Sequence, residues 1–301
     1  MITEEYNYMR SNLDNKWGFL ELQDKILEVM SFIDELCRKN NIDYCLMGGS
    51  ALGARRHGGF IPWDDDLDIF MFPDDYKNFR SLFGEKKYYS KYHLQEWGEI
   101  DGMITMAKVR ADGTTYIESS LKDWDIHHGI YVDIFVLNKC PSFFLSRFNQ
   151  FFWSKYILMK GLAEKRYKAK NPFISFVLFV MRLFPEYHLV KYGYKQIYKY
   201  NKLKKYKYYS YFFGRAIYKK AIYKREWFDD KKFVPFEKLM LKVPAKLDDF
   251  LLTRFGNYME YPKESEIKAM QHAEIWFANL DFREFRNDIE YTFKDERRLM
   301  G

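Results

Sequence analysis

The chain has 301 residues and a mass of 36.7 kDa, enough for one large domain or two modest ones with a hydrophobic core. Hydrophobic residues make up 48% and charged residues 30%, which excludes an intrinsically disordered chain, and the formal net charge is +7. Aromatic residues reach 20%, so the rings must lie in the core, in a ligand pocket or at a membrane interface.

Apolar residues at helical spacing predict a first helix over residues 20–39. A short strand over 42–47 follows, and the glycine-serine stretch 48–50 is predicted to turn tightly into a short helix. A second strand is predicted over 66–72. Asp74 is predicted to cap the helix that comes next.

Three further strands are predicted over residues 104–111, 114–119 and 130–137. Asp112 and Gly113 form a strong hairpin signal between the first two of them. The pattern therefore predicts an α+β fold whose core is a mixed β-sheet flanked by helices.

The three cysteines, Cys37, Cys45 and Cys140, show neither a CxxC spacing nor the number that a disulfide framework needs. They are typical of reduced thiols in an intracellular protein. The first residues contain no apolar signal-peptide segment, and no apolar run reaches the about 20 residues of a spanning helix. We therefore expect a cytoplasmic protein.

The sequence changes character over residues 141–225, where aromatic and apolar stretches predict helices. One such helix is bounded by Pro172 and Pro185, which are too close together for a bilayer span. Residues 186–225 contain twelve Lys or Arg and one acid, a net charge of +11. Because the whole chain carries +7, the remainder carries −4.

Three roles stay open for this basic, aromatic segment. Lysines interleaved with rings suit single-stranded nucleic acid. Ordinary packing or a subunit contact is the second reading. The apolar helix beside many cations favours a third, peripheral contact with an anionic membrane surface, and no nucleic acid partner is expected.

Four aspartates lie within five positions, at 64, 65, 66 and 68. Side chains two apart share one face of a strand, so Asp64, Asp66 and Asp68 share a face if the strand extends back to residue 64. On such a strand Asp66 and Asp68 would stand about 6–7 Å apart at the backbone, and two carboxylates at that separation repel each other unless a cation lies between them. Mg²⁺ fits this position because it prefers oxygen ligands. Asp133, a lone acid in an apolar strand, is the candidate third ligand; the alternative is a buried carboxylate paired with a backbone group or an Arg.

Gly48, Gly49 and Ser50 complement the acidic run. Glycines let the backbone approach a ligand closely, and helix amides that begin near Ser50 favour an anion such as a phosphate. A glycine-serine turn and an acidic run are each weak signals. Together they predict a metal and phosphate site.

The stretch MGGSALGARRHGGFIPWDDDLDIFM, residues 47–71, resembles the signature of the LicD family, which includes the fukutin-related branch of nucleotidyltransferase-fold proteins. Further similar stretches are AKVRADGTTYI (107–117), GIYVDIFVL (129–137) and the segment 234–262. The likeness brackets residues 20–140 and 226–275, with a variable section between them.

The resemblance implies three parts of the chain. Residues 1–140 would form a nucleotidyltransferase-like catalytic core, and residues 141–225 a helical basic and aromatic insertion that contacts a membrane or the acceptor. Residues 226–301 would pack on the core.

The resemblance also implies a Mg²⁺-dependent phosphotransferase that uses two ions, with Mn²⁺ as an alternative ion. Its relatives move phosphocholine, or a related polyol phosphate, from a CDP-linked donor such as CDP-choline to a sugar of a cell-surface glycan or teichoic acid precursor. A lipid-linked oligosaccharide acceptor and a position at the inner face of the membrane would follow.

Carried over residue by residue, Asp66 and Asp68 would be the principal metal ligands, with Asp64 beside them and Asp133 as the acid of the third strand. One carboxylate, Asp133 or Asp64, would take the proton of the attacking hydroxyl. Gly48, Gly49 and Ser50 would hold the donor phosphates.

Four further residues enter through the same likeness. Arg56 would neutralise phosphate charge, Lys108 and Arg110 would contact the donor diphosphate from one strand face, and His272 falls where the family often has a histidine. Each has an ordinary alternative as a solvated charge or a packed side chain.

Two other functions fit the same residues. A nucleotidyltransferase that adds a nucleotide to a sugar phosphate or an RNA end would use the same metal site. A non-catalytic, membrane-associated interaction protein would use the acidic run only to bind cations.

Overall fold

The computed structural model describes residues 15–287 and 294–295, except residues 120, 123, 165–166, 168–170, 184–186, 215 and 269. The fold is a mixed α+β arrangement with a mixed sheet and flanking helices, as predicted. Pro185, predicted to end a helix, and the first fourteen residues lie outside the described residues.

A six-stranded sheet forms the centre of the fold, in the order β1-β2-β8-β5-β4-β3. The strands β2 and β8 pair in parallel, and all other neighbours in this sheet are antiparallel. The bounds are β1 (Tyr44–Leu46), β2 (Asp68–Met71), β3 (Tyr88–Tyr89), β4 (Tyr92–Trp97), β5 (Met106–Ala111) and β8 (Tyr131–Val136). Apart from Asp133, the side chains of β8 are apolar or aromatic, because the strand lies inside the sheet and is buried over almost its whole length.

Three helices accompany this sheet in the first half of the chain. The predicted first helix is confirmed as α1 (Leu20–Lys39), whose apolar stripe is buried. The helix α2 (Gly48–His57) begins directly at Gly48, so the glycines are its first turn and do not precede it. The helix α3 (Pro73–Leu82) has Phe72 at its N-cap; the prediction of Asp74 as the cap is wrong, because proline takes the first helical position.

Two strand predictions are also wrong. The strand β2 begins at Asp68, so Asp64 and Asp66 lie in the loop before it and not on a strand face. The predicted hairpin at Asp112 and Gly113 does not form, because β5 pairs with β4 and β8. The strand β6 (Thr115–Glu118) instead pairs with β14 (Ala273–Phe277), far along the chain. The strands β3 and β4 were not predicted.

The basic, aromatic segment is largely helical. It contains α4 (Phe144–Glu164), α5 (Pro172–Leu183) and α6 (Tyr187–Tyr198). A small sheet joins it to the core through β9 (Asn138–Cys140), β10 (Tyr208–Ser210) and β11 (Ile222–Lys224). Among the described residues no single helix has the length and apolarity of a membrane span; only α5 together with the bent helical stretch Tyr187–Lys202 does, on length and composition alone.

The last part of the chain returns to the core. The hairpin β12 (Lys231–Phe236) and β13 (Leu239–Pro244) contacts β1, and α7 (Leu247–Phe255) contacts α2. An ion pair between Arg55 and Asp248 joins these two helices. The remaining elements are β7 (Trp124–Asp125), α8 (Glu264–Ile267), α9 (Phe282–Asn287) and β15 (Lys294–Asp295).

His127 lies buried in the loop before β8 as a neutral ring. Its Nδ1 accepts from the N–H of Gly129 at 3.0 Å, and its Nε2 lies 2.8 Å from Asp112. Burial, followed by the nearby positive charge of Arg110, lowers the pKa of His127 to about 2. A histidine in an unfolded chain has a pKa of ~6.5. Below that pH the unfolded chain therefore binds a proton at this ring, whereas the folded chain does not.

The free energy of unfolding therefore loses up to about 1.4 kcal/mol per pH unit from this group as the pH falls below ~6.5, and the contribution is complete above it. We expect His127→Asn to remove that part of the slope. The measurement is urea unfolding between pH 7 and 4.5. His188→Asn, at an exposed position, is the control. Equal slopes in wild type and His127→Asn would contradict the assignment.

Candidate metal and phosphate site

The parallel pairing of β2 with β8 brings acidic residues from distant parts of the chain together. Asp68, the first residue of β2, lies opposite Asp133 in the register. Asp66, in the loop just before β2, offers an oxygen to the same group. One carboxylate oxygen of each of the three lies within 4.8 Å of the others, a spacing suited to one metal ion.

The electrostatics of this group favour a divalent cation. Burial, together with the neighbouring carboxylates, raises the pKa of Asp66 to about 6 even though His272 opposes the rise. Burial and repulsion from Asp66 and Asp133 also raise the pKa of Asp68 well above its usual range. Such carboxylates remain ionised at low cost only beside a positive charge, and a hard ion with oxygen ligands fits them.

Lys108 supplies one fixed positive charge to this group. Its Nζ lies 3.0 Å from Asp133 and 3.1 Å from Glu118, and its side chain is 4% exposed. Arg110, on the same strand face, is also buried and donates to the carbonyl of Gly129 at 2.8 Å. The structure therefore places Lys108 against the acidic cluster and Arg110 in the protein interior.

The start of α2 lies against the acidic loop. A Cβ at Gly48, where φ is +53°, would lie 3.0 Å from an Asp68 oxygen, and a Cβ at Gly49 would lie 2.7 Å from an Asp64 oxygen. Glycine is therefore required at both positions for the carboxylates to approach the helix start. The Ser50 hydroxyl is buried and accepts a 2.8 Å hydrogen bond from the Asp68 N–H, so it positions a ligand residue.

The acidic loop itself is held by backbone contacts. The amide of Gln23, a buried side chain on α1, donates to the carbonyl of Asp64 at 2.9 Å and to that of Ile61 at 3.3 Å. Burial, then repulsion from Asp66, raises the pKa of the Asp64 carboxyl well above its usual value. Asp64, like Asp66, thus lies in the loop before β2, and its carboxylate approaches the start of α2 at Gly49.

Asp65 is a residue of the candidate site that the sequence patterns did not single out. It is fully buried, and its Oδ2 accepts from the N–H groups of His272 and Ala273, both at 2.7 Å. The His272 Nδ1 lies 3.4 Å from Asp65 and 3.5 Å from Asp66, and the hydrogen bond with Asp65 raises the pKa of His272 to about 9. Asp65, Asp66 and His272 form a second group able to hold a metal ion.

Arg56 lies at the other end of α2, away from a direct contact with the carboxylates. Its Nη1 donates to the carbonyls of Tyr258 and Glu260 at 3.2 and 3.3 Å. The guanidinium lies over the ring of Tyr261, 4.4 Å from its centre, and that ring meets Trp63 edge to face. In this structure Arg56 holds the segment after α7 against the acidic loop.

Asp65→Asn should destabilise the protein, because an amide replaces a carboxylate that accepts two backbone N–H bonds in the interior. Hydrogen bonds to a charged group contribute about 1.5–3 kcal/mol, and we expect a loss of about 2 kcal/mol in the free energy of unfolding. Urea unfolding measures it, with Asp74→Asn, at an exposed position on α3, as the control. Hydrogen exchange at the amides of His272 and Ala273 should accelerate; unchanged stability and exchange would disprove this role.

Fold and site together define a class of protein: a mixed α+β sheet that presents clustered carboxylates, at a spacing that could hold a metal ion, beside a helix that begins at a glycine. Residues 41–137 match the family model described as LicD/FKTN/FKRP, nucleotidyltransferase domain. This stretch, about a third of the chain, is therefore similar to the domain of the LicD family.

Named relatives share parts of the chain. The lipopolysaccharide cholinephosphotransferase LicD of Haemophilus influenzae is 31% identical over 124 residues, which cover 40% of this chain and 45% of that protein. The ribitol 5-phosphate transferase FKRP of Homo sapiens is 39% identical over 57 residues, which cover 19% of this chain and 12% of that protein. The uncharacterized protein RT0683 of Rickettsia typhi is 34% identical over 89 residues, or 25% and 29% of the two chains. The chain spans less than half the length of these relatives.

Proposed function

We propose that the chain is a metal-dependent phosphotransferase. It would move phosphocholine, or a related polyol phosphate, from a CDP-activated donor to a sugar hydroxyl of a cell-surface glycan precursor, with a lipid-linked oligosaccharide as acceptor. The observation that carries this proposal is the acidic cluster of Asp66, Asp68 and Asp133 beside the start of α2. Two relatives support the reaction class, since their names describe transfer of cholinephosphate and of ribitol 5-phosphate.

We infer a nucleotidyltransferase-like core that holds one ion on Asp66, Asp68 and Asp133, with Asp65, Asp66 and His272 as the candidate group for a second. Mg²⁺ is the expected ion and Mn²⁺ the alternative, because carboxylates suit both. A bound divalent ion would reduce the repulsion between an attacking hydroxyl and a negatively charged phosphate.

The chain's own groups would bind and orient the donor. The backbone N–H groups at the start of α2, which no side chain caps, favour an anion, and the absence of side chains at Gly48 and Gly49 lets Asp64 and Asp68 lie against this helix start. Lys108 keeps Asp133 in place through its ion pair. Asp64 is the better candidate to take the proton of the hydroxyl, because Lys108 already engages Asp133, the other carboxylate considered.

Asp68→Asn should lower turnover by about a hundredfold or more, because it removes a charged ligand from the cluster, and a metal ion contributes several kcal/mol to such a reaction. The assay is release of CMP from CDP-choline, CDP-glycerol and CDP-ribitol, with Mg²⁺ and lipid-linked acceptors. Asp74→Asn, the exposed control, should leave turnover unchanged. Circular dichroism would show that both variants are folded.

Three outcomes would contradict the proposal. Near-normal transfer by Asp68→Asn would remove the assigned site. Release of pyrophosphate in place of CMP would indicate nucleotidyl transfer. If wild type binds Mn²⁺, measured by electron paramagnetic resonance, but turns over no CDP-linked donor, the result favours a non-catalytic cation-binding protein.

A further inference from the structure

The helices α4 and α5 present apolar side chains to solvent. On α4, Phe144, Phe148 and Phe152 recur every four residues along one stripe, and each is at least half exposed. On α5, Phe173 is 73% exposed and Phe176 is 63% exposed. Most of the large apolar side chains that are exposed among the described residues lie between residues 143 and 217. Exposed apolar surfaces of this kind mark sites of contact with another protein or with a membrane.

The opposite sides of these helices are fixed to the protein by polar contacts. On α4, the Gln150 amide donates to the Lys139 carbonyl at 3.0 Å and is fully buried. Between α4 and α5, Lys160 donates to the Met181 carbonyl at 2.7 Å, and Arg182 donates back to the Ala163 carbonyl at 2.9 Å. These contacts satisfy polar groups on the side of each helix that faces the protein, so the phenylalanine stripes face solvent.

A pair of exposed lysines, the Lys219–Lys220 rim, lies in a turn that packs on α4. The ring of Tyr218 meets Phe151, the neighbour of Phe152 on α4, at 5.1 Å. Lys219 and Lys220, which follow Tyr218 in a short 3-10 turn, are both exposed. Further exposed lysines lie earlier in the same basic segment, at Lys195, Lys199, Lys202, Lys204, Lys205 and Lys207.

We propose that the apolar stripes of α4 and α5 and the Lys219–Lys220 rim lie on an anionic lipid bilayer, with the helices parallel to its surface. An amphipathic helix buries its apolar face about 5–10 Å deep, and each nearby lysine adds to the attraction by acidic headgroups. The twelve residues of α5 are too few to cross the bilayer. This surface is separate from the acidic cluster, and its test does not depend on turnover.

Two other partners fit less well. A second copy of the chain, paired through the same face, would bring two cationic rims together, and their like charges would repel. A single nucleic acid strand needs cations interleaved with rings, whereas residues 172–181 contain no charged residue at all.

The test is flotation of the full chain with vesicles of phosphatidylcholine alone, or of phosphatidylcholine mixed with phosphatidylglycerol. We expect binding to the mixed vesicles that weakens at high salt and is extracted by alkaline carbonate. The Phe148→Glu/Phe152→Glu variant and the Lys219→Glu/Lys220→Glu variant should each bind about tenfold more weakly or worse.

Control variants change other exposed residues away from these helices. Met240→Glu, on β13, replaces an exposed apolar side chain, and Lys77→Glu/Lys86→Glu reverses two exposed charges. Both should bind as wild type. No flotation of wild type at low salt, equal binding to neutral vesicles, or equal losses in the controls would overturn the proposal. So would a dimer in light scattering that the Phe148→Glu/Phe152→Glu variant makes monomeric, because the face would then be a self-contact.

Discussion

The arrangement of the chain depends on keeping several negatively charged groups side by side in a partly buried place. Asp66, Asp68 and Asp133 come together because a loop, a strand start and a central strand meet in one parallel register. Repulsion among them opposes folding, and the surrounding backbone resists that repulsion. The Ser50 hydroxyl bonds the backbone of Asp68, and the Gln23 amide bonds that of Asp64. The protein therefore maintains a negative centre that a divalent cation would stabilise.

The charges next to this centre have different environments. Lys108 is buried and fixed between Asp133 and Glu118, so it is part of the cluster's framework and offsets some of its charge. His272 is partly exposed and reaches Asp66 from the far end of the chain. A divalent ion would thus enter a group that already has one permanent positive neighbour. This charge opposes the rise in pKa that burial and repulsion cause at Asp66 and Asp68.

Local patterns in the sequence predicted the parts of the fold that local interactions decide. The long helix α1 was predicted because its apolar periodicity extends over several turns, and α5 because its apolar stretch begins at a proline. The sequence predicted that Asp66 and Asp68 share one face of a strand, but the strand β2 begins only at Asp68. They meet because the loop before β2 folds back against α2, which no period of two encodes.

The features that the sequence did not predict depend on contacts between residues that are far apart in the chain. Asp112 and Gly113 do turn the chain, but β6 pairs with β14 and not with β5, so a correct turn signal led to a wrong hairpin. Asp65 was assigned to the opposite face from its neighbours. Its partners, the backbone amides of His272 and Ala273, follow about two hundred residues later, and no local spacing reveals them. Such a partner would become visible only through the tertiary structure.

The bond from Asp65 to residues 272 and 273 has a consequence for synthesis. The acidic run is synthesised before residues 272 and 273. The backbone N–H groups that donate to Asp65 and the imidazole beside Asp66 therefore follow only after residue 270. Until then the Asp65 carboxylate lacks its two backbone amide donors. The surroundings of Asp65 are therefore complete only after residues 272 and 273 have been synthesised, so this part of the site cannot assemble with the acidic run alone.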